Sequence, residues 1–219
     1  MYKVYGDYRS GNCYKIKLAM SLLGIDYQWV PVDILKGETQ TPEFLAKNPN
    51  GKIPVLELED GSCLWESNAI LNFLADGSAL LPSEPRLRTQ VLQWQFFEQY
   101  SHEPYVATAR YIVRYLGRPA EREEALQQKM APGYAALDVM ESHLRTGKFF
   151  VGGQYSIADI ALYAYTHVAG EGGFDSGQVR GFAFAQDKFQ LAFGGHLGAW
   201  VFRLPKVLSR HFGAADDAA

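Results

Sequence analysis

The sequence predicts two domains of different class: an α/β domain over residues 1–80 and an all-helical domain over residues 87–219, joined by a linker at residues 81–86. Strand-like and helix-like segments alternate over the first 80 residues. Beyond the prolines of the linker, apolar residues recur mainly at helical spacing. A chain of 219 residues, 47% of them hydrophobic, is long and apolar enough to build both cores.

The elements of the first domain follow one another closely. Apolar residues at helical spacing, ended by Gly24, predict the first helix, and Asp60-Gly61 predicts a hairpin turn. The predicted strands are residues 3–5, 27–32, 53–58 and 62–65, and the predicted helices are residues 14–23, 42–47 and 68–74. The resulting order, β-α-β-α-β-β-α with Pro54 opening the third strand, is that of a thioredoxin-like domain.

The second domain is predicted to contain three helical stretches, over residues 87–116, 119–144 and 157–169. Pro104 is expected to bend or break the first near residues 100–103, and Pro132 to kink the second. Ser156 with Asp159 three residues later is a capping-box pattern that predicts the start of the third. Residues 181–200 are rich in Gly and Phe without a clear period, so the sequence does not define the last helix.

The composition excludes several classes of function. The net charge is −3 and no basic block is present, which argues against a nucleic-acid partner. Cys13 and Cys63 have neither CxxC nor metal-ligand spacing, and the histidines show no ligand spacing, so we expect no disulfide framework and no metal. No signal peptide or membrane-length apolar run is visible, and we expect a cytoplasmic protein without a membrane partner.

The phrase Ile53-Pro54-Val55 is unusual at the start of a strand. Proline has no N–H and is tolerated at a strand's first residue, and a cis Ile-Pro bond would turn the chain tightly there. We expect this bend to leave the backbone N–H and C=O of Val55 able to pair with an outside peptide. The sequence therefore predicts a peptide-like ligand.

Four motifs in this order and spacing resemble the soluble, cytosolic-type glutathione transferase superfamily, in particular its bacterial serine-type members. The motifs are Ser10-Gly11-Asn12-Cys13, Lys52-Ile53-Pro54-Val55, Glu66-Ser67-Asn68-Ala69-Ile70 and Ser156-Ile157-Ala158-Asp159. The resemblance covers about residues 2–170. It implies an enzyme that uses glutathione as co-substrate, acts on a small electrophile and forms a homodimer.

The resemblance implies that a side chain near the first helix stabilises the glutathione thiolate. A hydroxyl or amide donor there would act by hydrogen bonding, assisted by the helix dipole. We expect Ser10 to do so with help from Asn12. Two other residues stay open: Tyr5 at the end of the first strand and Cys13, which would form a mixed disulfide.

The other predicted contacts would hold the rest of the tripeptide. Glu66 would accept the γ-glutamyl ammonium, and Ser67 at a helix start would bind the γ-glutamyl carboxylate. Val55 would make two backbone hydrogen bonds to the cysteinyl unit, within the strand opened by Ile53 and Pro54. The glycyl end is assigned to Lys52 and Gln40, with a solvated loop as the alternative for both. The residues predicted to bind glutathione are thus Gln40, Lys52, Ile53, Pro54, Val55, Glu66 and Ser67.

The electrophile pocket is expected between the two domains, lined by Tyr8 and by Tyr105, Arg110 and Tyr111 of the first long helical stretch. Such an aromatic wall favours flat, apolar electrophiles. Three alternatives to a transferase are a glutathione-dependent isomerase, a glutathione-dependent reductase and a non-catalytic ligand-binding protein. A thioredoxin-type disulfide enzyme is disfavoured because CxxC is missing.

Overall fold

The computed structural model describes residues 1–175 of the 219, so the segment at residues 181–200 lies outside the described part. The first domain contains a mixed four-stranded sheet, as the sequence predicts. Its strands are β1 (Tyr2–Gly6), β2 (Tyr27–Pro31), β3 (Val55–Glu57) and β4 (Cys63–Trp65), and its helices are α1 (Gly11–Leu23), α2 (Pro42–Leu45) and α3 (Ser67–Ala75). Short 3₁₀ turns at Ile34–Lys36 and Glu38–Gln40 precede α2.

The strand order is β2-β1-β3-β4, with β1 parallel to β2 and antiparallel to β3. Val55 lies opposite Tyr5 of β1 and opposite Trp65 of β4. The Ile53–Pro54 bond that precedes β3 is cis, in agreement with the tight turn expected from the sequence. The α/β domain with a thioredoxin-like arrangement is therefore confirmed.

The second domain is mainly helical in its described part, with an isolated β-bridge between Val151 and Gln154. Its helices are α4 (Pro85–Phe97), α5 (Glu103–Arg110), α6 (Glu123–Leu144) and α7 (Ile157–Thr166). The structure departs from α geometry close to where the sequence predicts a bend or break before Pro104. A π-helical turn, Glu98–His102, carries the chain from α4 into α5, and Pro104 lies in the first turn of α5. A second π-helical turn, Tyr111–Tyr115, follows α5.

The predicted capping box at the start of α7 is confirmed. The Ser156 hydroxyl accepts from the Ala158 N–H, and the Asp159 carboxylate accepts from the Ser156 N–H at 2.9 Å. Asp159 also accepts from the Phe150 N–H at 3.1 Å, so it ties the preceding loop to the helix. α7 is buried almost all round and packs against α1 and α4. One apolar core thus spans the two domains and fixes α1, which carries the candidate site, against the helical layer.

Candidate functional site

A cavity lies where the N-terminus of α1, the segment before β3, the N-terminus of α3 and the π-helical turn after α4 meet. It is lined by Asn12, Asn48, Lys52, Ile53, Pro54, Glu66, Ser67, Gln99 and Glu103. The structure brings six residues named from the sequence to this cavity, namely Asn12, Lys52, Ile53, Pro54, Glu66 and Ser67. Both domains contribute, because Gln99 and Glu103 belong to the helical domain.

Asn48, Gln99 and Glu103 were missed by the sequence reasoning. Asn48 precedes the Ile53-Pro54 phrase, and its Nδ2 donates to the Lys52 carbonyl at 2.7 Å, so it fixes the segment before β3. That position, between a helical turn and a strand, was a usable signal. Gln99 and Glu103 gave none, because only the π-helical turn brings their face of the helix to the cavity.

The structure contradicts the ligand-pairing role assigned to Val55. Val55 is fully buried and lies between β1 and β4, so its backbone belongs to the sheet and it does not line the cavity. Ile53 lies two residues earlier, beyond the paired part of β3, and it does line the cavity. The backbone position suited to an extended ligand is therefore Ile53.

The two hydroxyls considered for thiolate stabilisation both have hydrogen-bond partners within the protein. Ser10 is the N-cap of α1, and its Oγ accepts from the Cys13 N–H at 3.3 Å. It does not line the cavity. The Tyr5 hydroxyl donates to the Glu57 carboxylate at 2.7 Å.

Cys13 is the third competitor, and it lies inside the core, 1% exposed. Burial raises the pKa of its thiol to about 12, which leaves almost no thiolate near neutral pH. A mixed disulfide at Cys13 therefore has no structural support, and the side chain packs as a small apolar residue.

Two hydrogen bonds hold Asn12 at the N-terminal end of α1. Its backbone N–H donates to the Tyr165 hydroxyl at 3.3 Å, and its Oδ1 accepts from the Ser67 hydroxyl at 3.2 Å. Glu103 lies beside it in the cavity wall. Burial raises the pKa of the Glu103 carboxyl, and a hydrogen bond from the Asn12 side chain opposes that rise. Asn12 is thus a fixed amide at the cavity.

Glu66 and Ser67 begin α3 in contrasting environments. Glu66 is exposed and has φ 68°, a left-handed conformation that is uncommon for a residue other than glycine. Ser67 is buried at 5% exposure, and its backbone N–H lies in the first turn of α3. Such backbone strain concentrates at sites that bind ligands. The pair offers a carboxylate and backbone N–H donors side by side.

A buried ion pair lies directly behind this wall and was also missed. The Lys15 ammonium donates to the Glu98 carboxylate at 2.8 Å and to the Ser67 Oγ at 3.2 Å, and both charged side chains are completely buried. Glu98 also accepts from the side-chain amides of Asn68 at 3.0 Å and Gln99 at 2.8 Å. Lys15 shares a helical stripe with apolar residues of α1, which was the available signal.

Both domains of the chain are similar to known protein families. The family model of the glutathione S-transferase N-terminal domain matches residues 1–76, and that of the C-terminal domain matches residues 94–190. Maleylacetoacetate isomerase from Rhizobium meliloti (strain 1021) is 35% identical over 165 residues, which cover 73% of this chain and 77% of that protein. The chain belongs to the glutathione S-transferase family.

Solved structures of glutathione S-transferases agree with this assignment. A crystal structure of glutathione S-transferase from Pseudomonas fluorescens Pf-5 is 70% identical, with TM-score 0.84, covering 86% of this chain and 94% of that one. The glutathione transferase URE2P8 from Phanerochaete chrysosporium, solved with oxidized glutathione, is 25% identical with TM-score 0.77, covering 86% and 89%. Glutathione is therefore the co-substrate expected of this family member.

The residues predicted for the electrophile pocket all have protein neighbours in the described part of this glutathione S-transferase family member. Arg110 is used structurally: its Nε donates to Glu171 at 2.8 Å and its Nη1 to the Arg9 carbonyl at 2.6 Å. The contact with Arg9 joins the two domains, whereas Glu171 belongs to the helical domain, and the role of Arg110 in binding a substrate stays a prediction. Tyr8 stacks on Trp29 with ring centroids 4.6 Å apart.

The remaining two pocket tyrosines also have protein neighbours. The Tyr105 ring lies under the Lys129 ammonium, 5.6 Å from its centroid, and Tyr111 packs on Tyr115 with centroids 5.2 Å apart. Tyr111 is 38% exposed and stays available to a ligand. A pocket at Tyr8, Tyr105 and Tyr111 stays a prediction.

The two residues predicted to bind the glycyl end of glutathione lie in different places. Lys52 lines the cavity, whereas Gln40 does not and donates from Nε2 to the Gly51 carbonyl at 3.3 Å. Gln40 thus supports the segment that carries Lys52. Within residues 1–175 no cluster of three or more His, Cys, Asp or Glu side chains is arranged to hold a metal, and no helix is long and apolar enough to cross a membrane.

Proposed function

We propose that the protein binds glutathione in this cavity and activates its thiol for transfer to a small, apolar or aromatic electrophile. The observation that carries the proposal is the convergence of the Asn12 amide, the Ile53 backbone and the Glu66-Ser67 pair on one cavity. A γ-glutamyl tripeptide needs three kinds of contact. These are a hydrogen-bond donor to its thiolate, an extended backbone that pairs with its cysteinyl unit, and groups that bind its charged γ-glutamyl end.

Each part of the ligand has a matching group. Glu66, with Glu103 across the cavity, suits the γ-glutamyl ammonium, and the first backbone N–H groups of α3, that of Ser67 among them, suit the γ-glutamyl carboxylate. Ile53 suits the cysteinyl backbone in the manner of an added strand. The exposed ammonium of Lys52 suits the glycyl carboxylate.

We assign the thiolate contact to Asn12 ahead of Ser10. A free thiol titrates near ~8.5, so a neutral-pH enzyme must favour the thiolate. An amide N–H at the first turn of the 13-residue helix α1 does so by direct hydrogen bonding, and the helix dipole adds to it. Ser10 acts indirectly, since its hydroxyl caps that same helix.

The thiol pKa of bound glutathione, followed by thiolate absorbance, tests this assignment. Wild-type protein is expected to lower the pKa by about one to two units, the equivalent of one charge-assisted hydrogen bond. Asn12→Ala is expected to return it to the free value, while Ser10→Ala keeps it lowered. The reverse result would move the assignment to Ser10, and wild-type protein without glutathione binding would refute the proposed function.

A second candidate is a glutathione-dependent isomerase, favoured by the 35% identity to the Rhizobium maleylacetoacetate isomerase. In that reaction the thiolate adds to a carbon–carbon double bond, the resulting single bond rotates, and the thiolate leaves again. Glutathione is regenerated, whereas a transferase consumes it. Product analysis with maleylacetoacetate and with aromatic electrophiles, together with the concentration of remaining glutathione, separates the two.

We further propose a cytoplasmic homodimer. Support comes from large apolar side chains exposed on α3, α4 and the following π-helical turn: Phe73 at 44%, Leu92 at 40%, Phe96 at 61% and Tyr100 at 77%. Light scattering behind size-exclusion chromatography measures the mass directly. A monomer near 24.5 kDa at micromolar concentration would refute the dimer.

A further inference from the structure

Hydrogen bonds with a fixed direction connect the buried Lys15–Glu98 ion pair to Asn12, the candidate thiolate donor. An ammonium group donates hydrogen bonds and accepts none, so in the contact between Lys15 and Ser67 the Ser67 oxygen must be the acceptor. A hydroxyl has one proton, and in this site that proton goes to the Asn12 Oδ1 at 3.2 Å. The order of donors therefore runs from Lys15 through Ser67 to Asn12.

This order fixes which way the Asn12 amide is turned. With its Oδ1 engaged by Ser67, the Nδ2 of Asn12 lies on the other side of the amide plane, where Glu103 lines the cavity. The Glu103 carboxylate accepts hydrogen bonds when ionised and so favours the same orientation. The amide N–H groups are thereby presented to the cavity, and of the two ends of an amide only the N–H end can donate a hydrogen bond to a thiolate.

We propose that Lys15 is a positioning residue for the thiolate: held by Glu98, its ammonium orients the Ser67 hydroxyl, which in turn holds the Asn12 amide with Nδ2 toward the thiol. This inference rests on the proposed function, because it concerns the donor that the function assigns to Asn12. It adds a role for two buried residues that never touch glutathione.

The burial of the pair makes the arrangement rigid. Both Lys15 and Glu98 are 0% exposed, and neither can be hydrated if its partner is lost. The other titratable groups that face this region are His102, fully buried in the π-helical turn, Tyr165 beside Asn12, and Lys52, Glu66 and Glu103 in the cavity wall. Among the described residues none of these five donates a hydrogen bond to Ser67, so Lys15 is the cation that determines its polarity.

Lys15→Met tests the inference against a matched control, Lys17→Met. Lys17 lies on the same helix, but its ammonium lies over the Tyr8 ring at 5.0 Å and does not contact Ser67. In Lys15→Met the thiol pKa of bound glutathione is expected to rise by about one unit, so that kcat/KM falls about tenfold at pH ~6.5 and recovers toward pH ~9. Lys17→Met is expected to keep the wild-type pKa and pH profile.

A merely structural role for Lys15 predicts a different result, namely lower stability with the thiol pKa unchanged, and that outcome would overturn the inference. The double variant Lys15→Met/Glu98→Gln removes both buried charges and keeps the test available should Lys15→Met fail to fold. It is expected to show the same rise in thiol pKa. A wild-type thiol pKa in the double variant would also overturn the inference.

Coupling to Ser67 provides the second readout. If the effect passes through the Ser67 hydroxyl, then Lys15→Met introduced into Ser67→Ala produces no further rise in the thiol pKa. Additive shifts would show that Lys15 acts by its charge alone and would overturn the relay. Wild-type protein that binds glutathione without lowering its thiol pKa would instead refute the proposed function, and the inference with it.

Discussion

Gly11→Ala tests how closely α1 and α7 approach at the site. Gly11 is the first residue of α1, and a Cβ built on it would lie 2.5 Å from Cε1 and 2.7 Å from Cδ1 and Cζ of the Tyr165 ring. Ordinary contact begins at 3.4 Å, so the ring must withdraw by about 0.9 Å. Tyr165 is 7% exposed, within the core that joins the domains.

The expected loss of stability is about 1–2 kcal/mol. Overpacking of this kind costs about 1–3 kcal/mol, and the reduced freedom of the unfolded chain offsets about 0.4–1 kcal/mol. The same displacement lengthens the 3.3 Å bond from the Asn12 N–H to the Tyr165 hydroxyl beyond hydrogen-bonding distance. Losing that support is expected to raise the KM for glutathione about two- to tenfold.

Urea unfolding and glutathione kinetics measure both effects, with Gly170→Ala as the control. A Cβ at Gly170 meets nothing within 4 Å, so this variant is expected to match wild type. Tyr165→Phe removes the hydroxyl without the clash, and we expect it to raise KM while costing less stability. If Gly11→Ala matches Gly170→Ala in unfolding midpoint and in KM, the proposed coupling of α7 to the cavity is wrong.

Three further predictions concern single side chains. Ser10→Ala is expected to lower stability by about 1 kcal/mol through loss of the α1 cap, measured by urea unfolding; no loss would contradict the capping role. Burial lowers the pKa of His102 from 6.5 to about 4, so its contribution to stability is complete above pH 6.5 and is lost as the pH falls toward 4. Unfolding at pH ~7 and ~4 should differ by about 3 kcal/mol less in His102→Gln than in wild type, and equal pH dependence would contradict this. Glu66→Gly is expected to relieve the left-handed backbone and gain about 0.5–1 kcal/mol while weakening glutathione binding by calorimetry; unchanged affinity would remove Glu66 from the ligand site.

The features predictable from the sequence are those set by nearby residues. The turn at Ile53–Pro54 and the capping box of Ser156 and Asp159 depend on residues within a few positions of one another, and both were found. The order of strands and helices was also recovered, because strand and helix periodicity in the first domain is strong. The π-helical turn that follows Phe97 was not predicted, since such a turn has no recognised sequence pattern.

The features that were missed depend on distant partners. Lys15 can be buried because Glu98, 83 residues later, neutralises its charge. The residues near Lys15 in the sequence do not indicate that partner. Val55 was misassigned because its pairing with Tyr5 and Trp65 is a property of the folded sheet. The choice between Ser10 and Asn12 stays a prediction, because a start of α1 at Gly11 makes Ser10 the N-cap but this capping uses only the oxygen of its hydroxyl.

The π-helical turn at Glu98–His102 makes the site sensitive to chain length. The turn places Glu98 and His102 on the buried side of the continuous helical segment formed by α4, the turn and α5, while Gln99 and Glu103 face the cavity. The turn holds one residue more than the α-helical turn it replaces, so deleting one of its residues would restore α geometry and keep α5 in phase with α4. Such a deletion would change which residues of the turn face the core and the cavity, while Glu103 would keep its place in the cavity wall. The sheet, and with it the backbone of Ile53, would keep its register.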